Sequence, residues 1–210
     1  MKKKKRIGIM GGTFDPIHIG HLILGEKAYE QFHLDKVWFM PSGNPPHKRE
    51  RNGRATDMQR TEMVRRAIEG NPHFELSLFE MNSEGFSYTY RTLEKLKKLY
   101  PDTDFFFIIG ADSLFDFDKW REPVRICAAC TLIVAVRDNV SDEKLELAMK
   151  KMSDMYHGVF LKLETTNLDI SSHQLRRWIL KNQSIQYYVT DSVRDYICEN
   201  RIYQASEEGD

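Results

Sequence analysis

Short apolar runs alternate with stretches of helical spacing along most of this chain, and this order limits the folds that it can adopt. The apolar runs are rich in β-branched and aromatic residues, as in buried strands, and they cover residues 6–10, 36–40, 74–79, 104–110, 131–136 and 158–163. Helical spacing covers residues 18–32, 57–70, 87–99 and 141–156. Because strands that alternate with helices pair through right-handed crossovers, we predict an α/β fold with a central parallel sheet and helices on both faces.

The last part of the chain has a different pattern, because helical spacing continues after residue 164 without further strand-like runs. Two helices are predicted at 171–182 and 190–200, followed by the polar sequence ASEEGD. The chain has 210 residues, a length that one domain can account for. We therefore expect a single domain over residues 1–210, with a core at 6–164, a helical C-terminal part at 165–203 and a polar tail at 204–210.

The charge balance and the hydropathy argue against several classes of partner. Lys plus Arg and Asp plus Glu both number 31, so no excess of positive charge indicates a nucleic-acid partner. No apolar stretch is long enough to span a membrane, and the run IGIM after MKKKKR is too short for a signal peptide. We expect a cytoplasmic protein that binds neither nucleic acid nor membrane. The sequence leaves the oligomeric state open, a homo-oligomer included.

The cysteines do not form a disulfide framework, because there are only three of them. Cys127 and Cys130 make one CxxC pair, and Cys198 lies far from it in the sequence. A zinc site would need further ligands, and the pair directly precedes the apolar run TLIVAV. We therefore interpret the pair as structural rather than metal-binding or redox-active.

The segment GGTFDPIHIGHL, residues 11–22, follows the first predicted strand. In open α/β sheets a ligand binds outside the carboxyl ends of the strands, so this segment lies where a site is expected. Gly11 and Gly12 allow a sharp turn and a close approach of backbone N–H groups to a ligand. Asp15 is predicted to cap the next helix, with Pro16 in its first turn.

Two histidines stand three residues apart near the start of that predicted helix. His18 and His21 are expected on one face, close to the positive end of the helix dipole, with Gly20 leaving the surface between them open. Helix N–H groups and two imidazoles suit a polyphosphate. A purely structural role for the pair stays open, whereas zinc is disfavoured because no H-E-x-x-H pattern or third ligand is present. Neither G-x-G-x-x-G nor the P-loop motif occurs in the chain.

Residues 18–21 spell HIGH, the signature that class I aminoacyl-tRNA synthetases share with small nucleotidyltransferases. The longer string GGTFDPIHIGH resembles the bacterial nicotinate-mononucleotide adenylyltransferases, and further matches follow in that family's order: NPPHK (44–48), SYT (87–89), GADSL (110–114), Trp120 and ISSHQLR (170–176). The resemblance covers nearly the whole chain. It implies a Rossmann-like nucleotidyltransferase fold and transfer of AMP from ATP to nicotinate mononucleotide, which gives nicotinate adenine dinucleotide and pyrophosphate.

The resemblance also implies roles for individual residues, with His18, His21 and Arg176 as the catalytic ones. The residues implied in ATP binding are Gly11, Gly12, Thr13, Phe14, His18, His21, Gly110, Asp112, Ser171, Ser172 and Arg176. Those implied in binding the acceptor substrate are Lys48, Thr89 and Trp120. Asp112 would accept hydrogen bonds from the ribose, and the indole of Trp120 would stack on the pyridine ring. Mg²⁺ is implied as a counter-ion that arrives with ATP, without protein ligands of its own.

Three details of the sequence qualify this resemblance. KKMSD, residues 150–154, is similar to the second synthetase signature, but Met152 belongs to the apolar stripe of the predicted helix 141–156. We therefore regard it as a chance match. His173 replaces a hydroxyl residue of the family pattern, and Arg91 replaces an aspartate. Two alternatives stay open: a sister transferase for another phosphate-bearing acceptor such as phosphopantetheine or glycerol phosphate, and a non-catalytic nucleotide-binding regulator. A tRNA-acting enzyme is disfavoured by the balanced charge.

Overall fold

The computed structural model describes residues 3–43, 53–81, 87–136, 141–166 and 168–204. Across these residues a six-stranded sheet forms, in which every neighbouring pair of strands is parallel. Its strands are β1 (Lys5–Gly12), β2 (Lys36–Pro41), β3 (Phe74–Leu76), β4 (Thr103–Gly110), β5 (Thr131–Ala135) and β6 (Phe160–Leu163). Their order is β3-β2-β1-β4-β5-β6, so the order reverses between β1 and β4, where a ligand crevice is expected at the carboxyl edge. All six predicted strands are confirmed.

Eight α-helices occur in the described part of the chain. They are α1 (Ile19–Gln31), α2 (Asp57–Ile68), α3 (Thr89–Leu99), α4 (Ala111–Phe115), α5 (Pro123–Ala129), α6 (Asp142–Tyr156), α7 (Ser172–Leu180) and α8 (Asp191–Glu199). The six predicted helices are confirmed to within three residues at each end. The sequence did not predict α4 or α5, because helices of five and seven residues are too short to show a periodic pattern.

Both faces of the sheet are covered, as predicted. On one face, α1, α2, α7 and α8 share a buried cluster with the sheet, through residues that include Ala28, Met63, Leu175 and Val193. On the other face, α3, α4, α5 and α6 share a second cluster, through residues that include Leu93, Leu114, Ile126 and Leu145. The C-terminal helices α7 and α8 thus belong to the same core as the sheet. The expected tail is described only to residue 204.

Two sequence features raised alternative interpretations, the KKMSD segment and the Cys127/Cys130 pair. Met152 is 4% exposed and packs α6 onto the sheet, so KKMSD lies on a crossover helix and not at the carboxyl edge. Burial raises the pKa of Cys127 to about 11 and that of Cys130 to about 12, and thiols with such values are unreactive in neutral solution. No helix within the described residues is long and apolar enough to cross a membrane.

Candidate active site

The loop after β1 carries the first candidate residues, and its path differs from the prediction. The Asp15–Pro16 peptide bond is cis, and α1 begins at Ile19 with His18 as the N-cap in an extended conformation. The prediction that Asp15 caps the helix and that Pro16 starts it is therefore wrong. Asp15 is instead 2% exposed and lies inside the protein.

His18 and His21 stack at the start of α1, with their ring centroids 3.7 Å apart. The backbone N–H of His18 donates to Nδ1 of His21 at 3.2 Å. Because Nδ1 accepts this bond, the neutral ring of His21 carries its proton on Nε2, which makes Nε2 a hydrogen-bond donor. Gly20 is not an open surface as predicted: a Cβ there would lie 3.1 Å from the ring of His18. The glycine is needed so that this ring can lie against the helix.

Aromatic rings pack against the glycines and the histidines of this loop. A Cβ at Gly11 would lie 3.2 Å from the Phe107 ring, and one at Gly12 would lie 3.2 Å from the Phe14 ring. Phe14 has a left-handed φ of 49° and is 1% exposed, and its ring meets that of His21 edge to face at 5.1 Å. The side chain of Phe14 thus supports His21, and any contact of this residue with a ligand has to use its backbone.

The start of α7 docks on the same loop. Ser171 is the N-cap of α7 and accepts a hydrogen bond from Gln174 N at 3.2 Å. The hydroxyl of Ser172 donates to the carbonyl oxygen of Pro16 at 2.8 Å, and Nη1 of Arg176 donates to the carbonyl oxygen of Asp15. The N-terminus of α7 and the guanidinium of Arg176 are therefore held beside the start of α1, although the two segments are far apart in the sequence.

Arg60 joins two strand-end loops and was not recognised from the sequence. Its guanidinium is buried and donates to the carbonyl oxygens of Thr13 at 2.6 Å and Ser42 at 2.8 Å. It also forms an ion pair with Asp57 at 2.8 Å. The signal in the sequence is an arginine at a core position of α2, three residues before the buried Met63. Arg60 fixes the carbonyl of Thr13, a residue implied in ATP binding.

A cleft opens beside the histidines at the carboxyl edge of the sheet. Its lining residues come from α1, the end of β5 and the loop before α7: His18, Gly20, His21, Leu24, Val136, Thr166 and Leu168. The sequence did not single out the last four of these: Leu24, Val136 and Leu168 are apolar residues that a sequence cannot distinguish from core residues, and Thr166 belongs to no motif. Nearby, Gly110 ends β4 and caps α4, and Asp112 is exposed in the first turn of that helix.

A second group of residues lies across the sheet edge, around the start of α3. Thr89 is the first residue of α3, and Tyr88 is its N-cap. The hydroxyl of Ser87 is buried and has no hydrogen-bond partner within the described residues. Buried hydroxyls in folded proteins usually have a hydrogen-bond partner, so the Ser87 hydroxyl is an unused donor among the described residues at the start of α3. This feature lies in the SYT motif.

Trp120 forms the opposite wall of this second group. Its indole is half-buried and packs against Phe117, with centroids 5.5 Å apart, and against Phe107 at 6.3 Å. The guanidinium of Arg121 lies 4.7 Å from the ring centre of Tyr88, which links the Trp120 segment to the start of α3. Thr89 and Trp120 therefore lie on segments that contact each other through Tyr88 and Arg121.

The remaining sequence features are placed as follows. Lys48 lies outside the described residues. Arg91, at the position where the family pattern has aspartate, donates from Nε to the hydroxyl of Tyr90 at 2.9 Å, and His173 is exposed on α7. Within the described residues, no group of three or more His, Cys, Asp or Glu side chains is arranged to hold a metal ion.

The strand order, the stacked histidines and the docked start of α7 define a nucleotidyltransferase of the cytidylyltransferase-like class, and the model of that family matches residues 9–178. A relative from Lachnoclostridium phytofermentans, named "probable nicotinate-nucleotide adenylyltransferase", is 39% identical over 95% of this chain and 99% of its own length. One of the same name from Clostridium acetobutylicum is 40% identical over 97% of this chain and 100% of its own. The chain belongs to the nicotinate-nucleotide adenylyltransferase family.

Solved structures show the same fold. The nicotinic acid mononucleotide adenylyltransferase of Plasmodium falciparum, complexed with NaAD, superposes with a TM-score of 0.76 and covers 95% of this chain and 97% of its own. The same protein complexed with APC gives a TM-score of 0.74. Sequence identity to this protein is 22%, so the likeness concerns the fold alone. The predicted Rossmann-like fold is confirmed.

Proposed function

We propose that the protein transfers AMP from ATP to nicotinate mononucleotide, which gives nicotinate adenine dinucleotide and pyrophosphate in NAD biosynthesis. The observation that carries this proposal is that the GGTFDPIHIGH segment and the ISSHQLR motif lie in contact at one edge of the sheet. Ser172 and Arg176 of α7 donate to the carbonyl oxygens of Pro16 and Asp15, directly before the stacked histidines. Two helix N-termini, two imidazoles and one guanidinium thus lie close together, and groups of this kind suit a polyphosphate.

The chemistry needs positioning rather than a general base. The attacking group is a phosphate monoester oxygen of nicotinate mononucleotide, which is mostly deprotonated near neutral pH because its second pKa is about 6. This oxygen forms a bond to the α-phosphorus of ATP, and the bond from that phosphorus to the bridging oxygen breaks, so that pyrophosphate leaves. The developing negative charge is stabilised by Nε2–H of His21, by His18 and by Arg176.

The acceptor is held by the second group of residues. The first N–H groups of α3 and the hydroxyl of Ser87 donate to the carboxylate of the nicotinate ring. The indole of Trp120 stacks on that ring, and Thr89 closes the pocket. Lys48 serves the phosphate of the acceptor. On the ATP side, Asp112 accepts from the ribose hydroxyls, and Ser171, Gly11, Gly12 and Gly110 let the backbone approach the nucleotide.

Mg²⁺ enters with ATP as the counter-ion of its phosphates. The described polar side chains around the loop before α1 are the imidazoles of His18 and His21, the hydroxyls of Ser171 and Ser172 and the guanidinium of Arg176. This donor set suits phosphate oxygens and does not make a magnesium cage. We also propose that residues 1–210 form one cytoplasmic nucleotidyltransferase domain that binds small molecules and neither nucleic acid nor membrane. The shared core of α7, α8 and the sheet supports a single domain.

Pyrophosphate release from ATP, measured with a panel of acceptors, tests the proposal. Release is expected with nicotinate mononucleotide and not with phosphopantetheine or glycerol phosphate. Release with either of these two acceptors instead would indicate a sister transferase. No release with any acceptor, together with intact ATP binding, would indicate a nucleotide-binding regulator. A preference for nicotinate over nicotinamide mononucleotide is expected, because the carboxamide presents a donor to the donors around Ser87.

A variant of His21 tests the assigned roles in the same assay. His21→Asn places an amide oxygen near the position of Nδ1, so the hydrogen bond from His18 N is kept while the Nε2 donor is lost. We expect kcat to fall by about a hundredfold or more. His33→Asn is the control, because His33 is exposed beyond the far end of α1 and has a left-handed φ that asparagine tolerates. Equal activity of the two variants would contradict the role of His21.

A further inference from the structure

The end of the described chain reaches back to the loop that precedes α1. Tyr203 lies after α8, and its side chain is only 6% exposed. Its hydroxyl donates to Oδ1 of Asp15 at 2.7 Å. Asp15 is 2% exposed, and its carbonyl oxygen accepts the hydrogen bond from Arg176. A C-terminal tyrosine thus contacts the residue that holds the proposed catalytic guanidinium.

Asp15 is fixed on two sides. Oδ1 accepts from Ala55 N at 3.1 Å as well as from Tyr203, whereas Oδ2 lies 3.6 Å from Nη1 of Arg176. Burial and the proximity of Asp15 raise the pKa of Tyr203 well above its usual range, so the hydroxyl keeps its proton and remains a donor in neutral solution. Tyr203 thus contacts the carboxylate of Asp15, and Arg176 contacts the same residue through a hydrogen bond to its carbonyl oxygen and an ion pair with Oδ2 at 3.6 Å.

The orientation of Arg176 matters because a guanidinium is planar and presents its N–H donors in a fixed fork. Nη1 is engaged by Asp15, and this contact determines where the remaining donors point. We propose that Tyr203 is a positioning residue for phosphate transfer: its hydroxyl fixes the side chain of Asp15, and Asp15 fixes the guanidinium of Arg176. The inference rests on the proposed function of Arg176 and extends the site to the C-terminal turn.

A tyrosine that only stabilises the fold would behave differently from one that acts through Arg176. Loss of a purely structural hydroxyl lowers the melting temperature. It changes activity by the same factor whether arginine or another residue occupies position 176. Loss of a positioning hydroxyl lowers activity only while the guanidinium is present, because the two changes then remove the same interaction. A double-mutant cycle separates these cases.

The experiment compares the unsubstituted chain, Tyr203→Phe, Arg176→Met and the double variant. Phenylalanine keeps the buried ring and removes only the hydroxyl. Tyr203→Phe is expected to lower kcat/KM for ATP by about tenfold to a hundredfold in the otherwise unsubstituted chain. In the Arg176→Met background the same change is expected to cost less than about twofold. Ile202→Val is the matched control: it trims a buried neighbour, lowers the melting temperature and leaves kcat/KM unchanged.

The same cycle is measured by calorimetry as the Kd of ATP, so that it does not depend on the identity of the acceptor. Equal losses in both backgrounds, or no loss from Tyr203→Phe, would overturn the positioning role and would leave the proposed adenylyltransferase activity unaffected. Failure of the proposed function gives a different result, the absence of pyrophosphate release by the unsubstituted chain with nicotinate mononucleotide. ATP affinities that couple Tyr203 to Arg176 would support the positioning role in that case too, and uncoupled affinities would overturn it.

Discussion

Replacing Arg60 by methionine is expected to lower the free energy of unfolding by about 2–4 kcal/mol. The guanidinium is 6% exposed and donates to two backbone carbonyl oxygens, those of Thr13 and Ser42. Hydrogen bonds from a charged donor contribute about 1.5–3 kcal/mol each, so the pair accounts for about 3–6 kcal/mol. Methionine avoids the free-energy cost of burying a cation, and this offsets part of the loss. Asp57 is 52% exposed, so its ion pair adds less than about 1 kcal/mol.

Equilibrium unfolding in urea, followed by circular dichroism, measures the change. Two controls belong to the same helix. Asp57→Asn removes the exposed ion pair and should cost less than about 1 kcal/mol. Arg65→Met makes the same substitution at a side chain that is 60% exposed, and its effect should stay within about 0.5 kcal/mol. If Arg60→Met lowered the free energy of unfolding no more than Arg65→Met, the two carbonyl contacts would not stabilise the loops and the reasoning would be refuted.

Three further predictions concern the site and the cysteines. Gly20→Ala should push the ring of His18 aside, since the added Cβ would lie 3.1 Å from that ring. We expect a marked fall in kcat and little change in the free energy of unfolding, as measured by parallel assays of turnover and urea unfolding. Trp120→Ala should raise KM for nicotinate and nicotinamide mononucleotides alike, because stacking does not distinguish them. An unchanged KM would show that Trp120 only packs in the core and does not contact the substrate. The raised pKa of Cys130, about 12, means that its thiolate is scarce at pH 8 and increases as the pH rises. Mass spectrometry after brief alkylation at pH 8 should therefore find the exposed Cys198 modified and Cys130 intact, and equal labelling would contradict the burial of Cys130.

The fold could be predicted largely because its signals are local. A strand such as β5 is a continuous apolar run, and α6 shows helical spacing with Ser141 at its start, accepting from Lys144 N as a cap. The helices α4 and α5 gave no such signal. They are short, they contain few buried positions, and their segment resembled a strand-end loop. Local pattern therefore identified the layers of the fold but not the short elements between them.

The sequence predicted which residues belong to the candidate site, but not the contacts between them. The motifs pointed to His18, His21 and Arg176, whereas the helix cap, the contact over Gly20 and the buried position of Asp15 depend on the path of the loop between β1 and α1. Arg60 and Tyr203 were missed for a related reason. Their hydrogen-bond partners lie far away in the sequence, and no periodic pattern in a single sequence carries that information.

The docking of Ser172 and Arg176 on the carbonyl oxygens of Pro16 and Asp15 has a consequence for biosynthesis of the protein. During translation the strands and the histidines are synthesised before the guanidinium, and because a domain folds as a unit, the core that the sheet shares with α7 and α8 is completed last. A nascent chain that ends before α7 therefore contains the imidazoles that we propose to be catalytic, without the helix that would complete the proposed phosphate site. ATP affinity should emerge only when the ribosome has released the last segment, and shortened translation products should be inert rather than partly active.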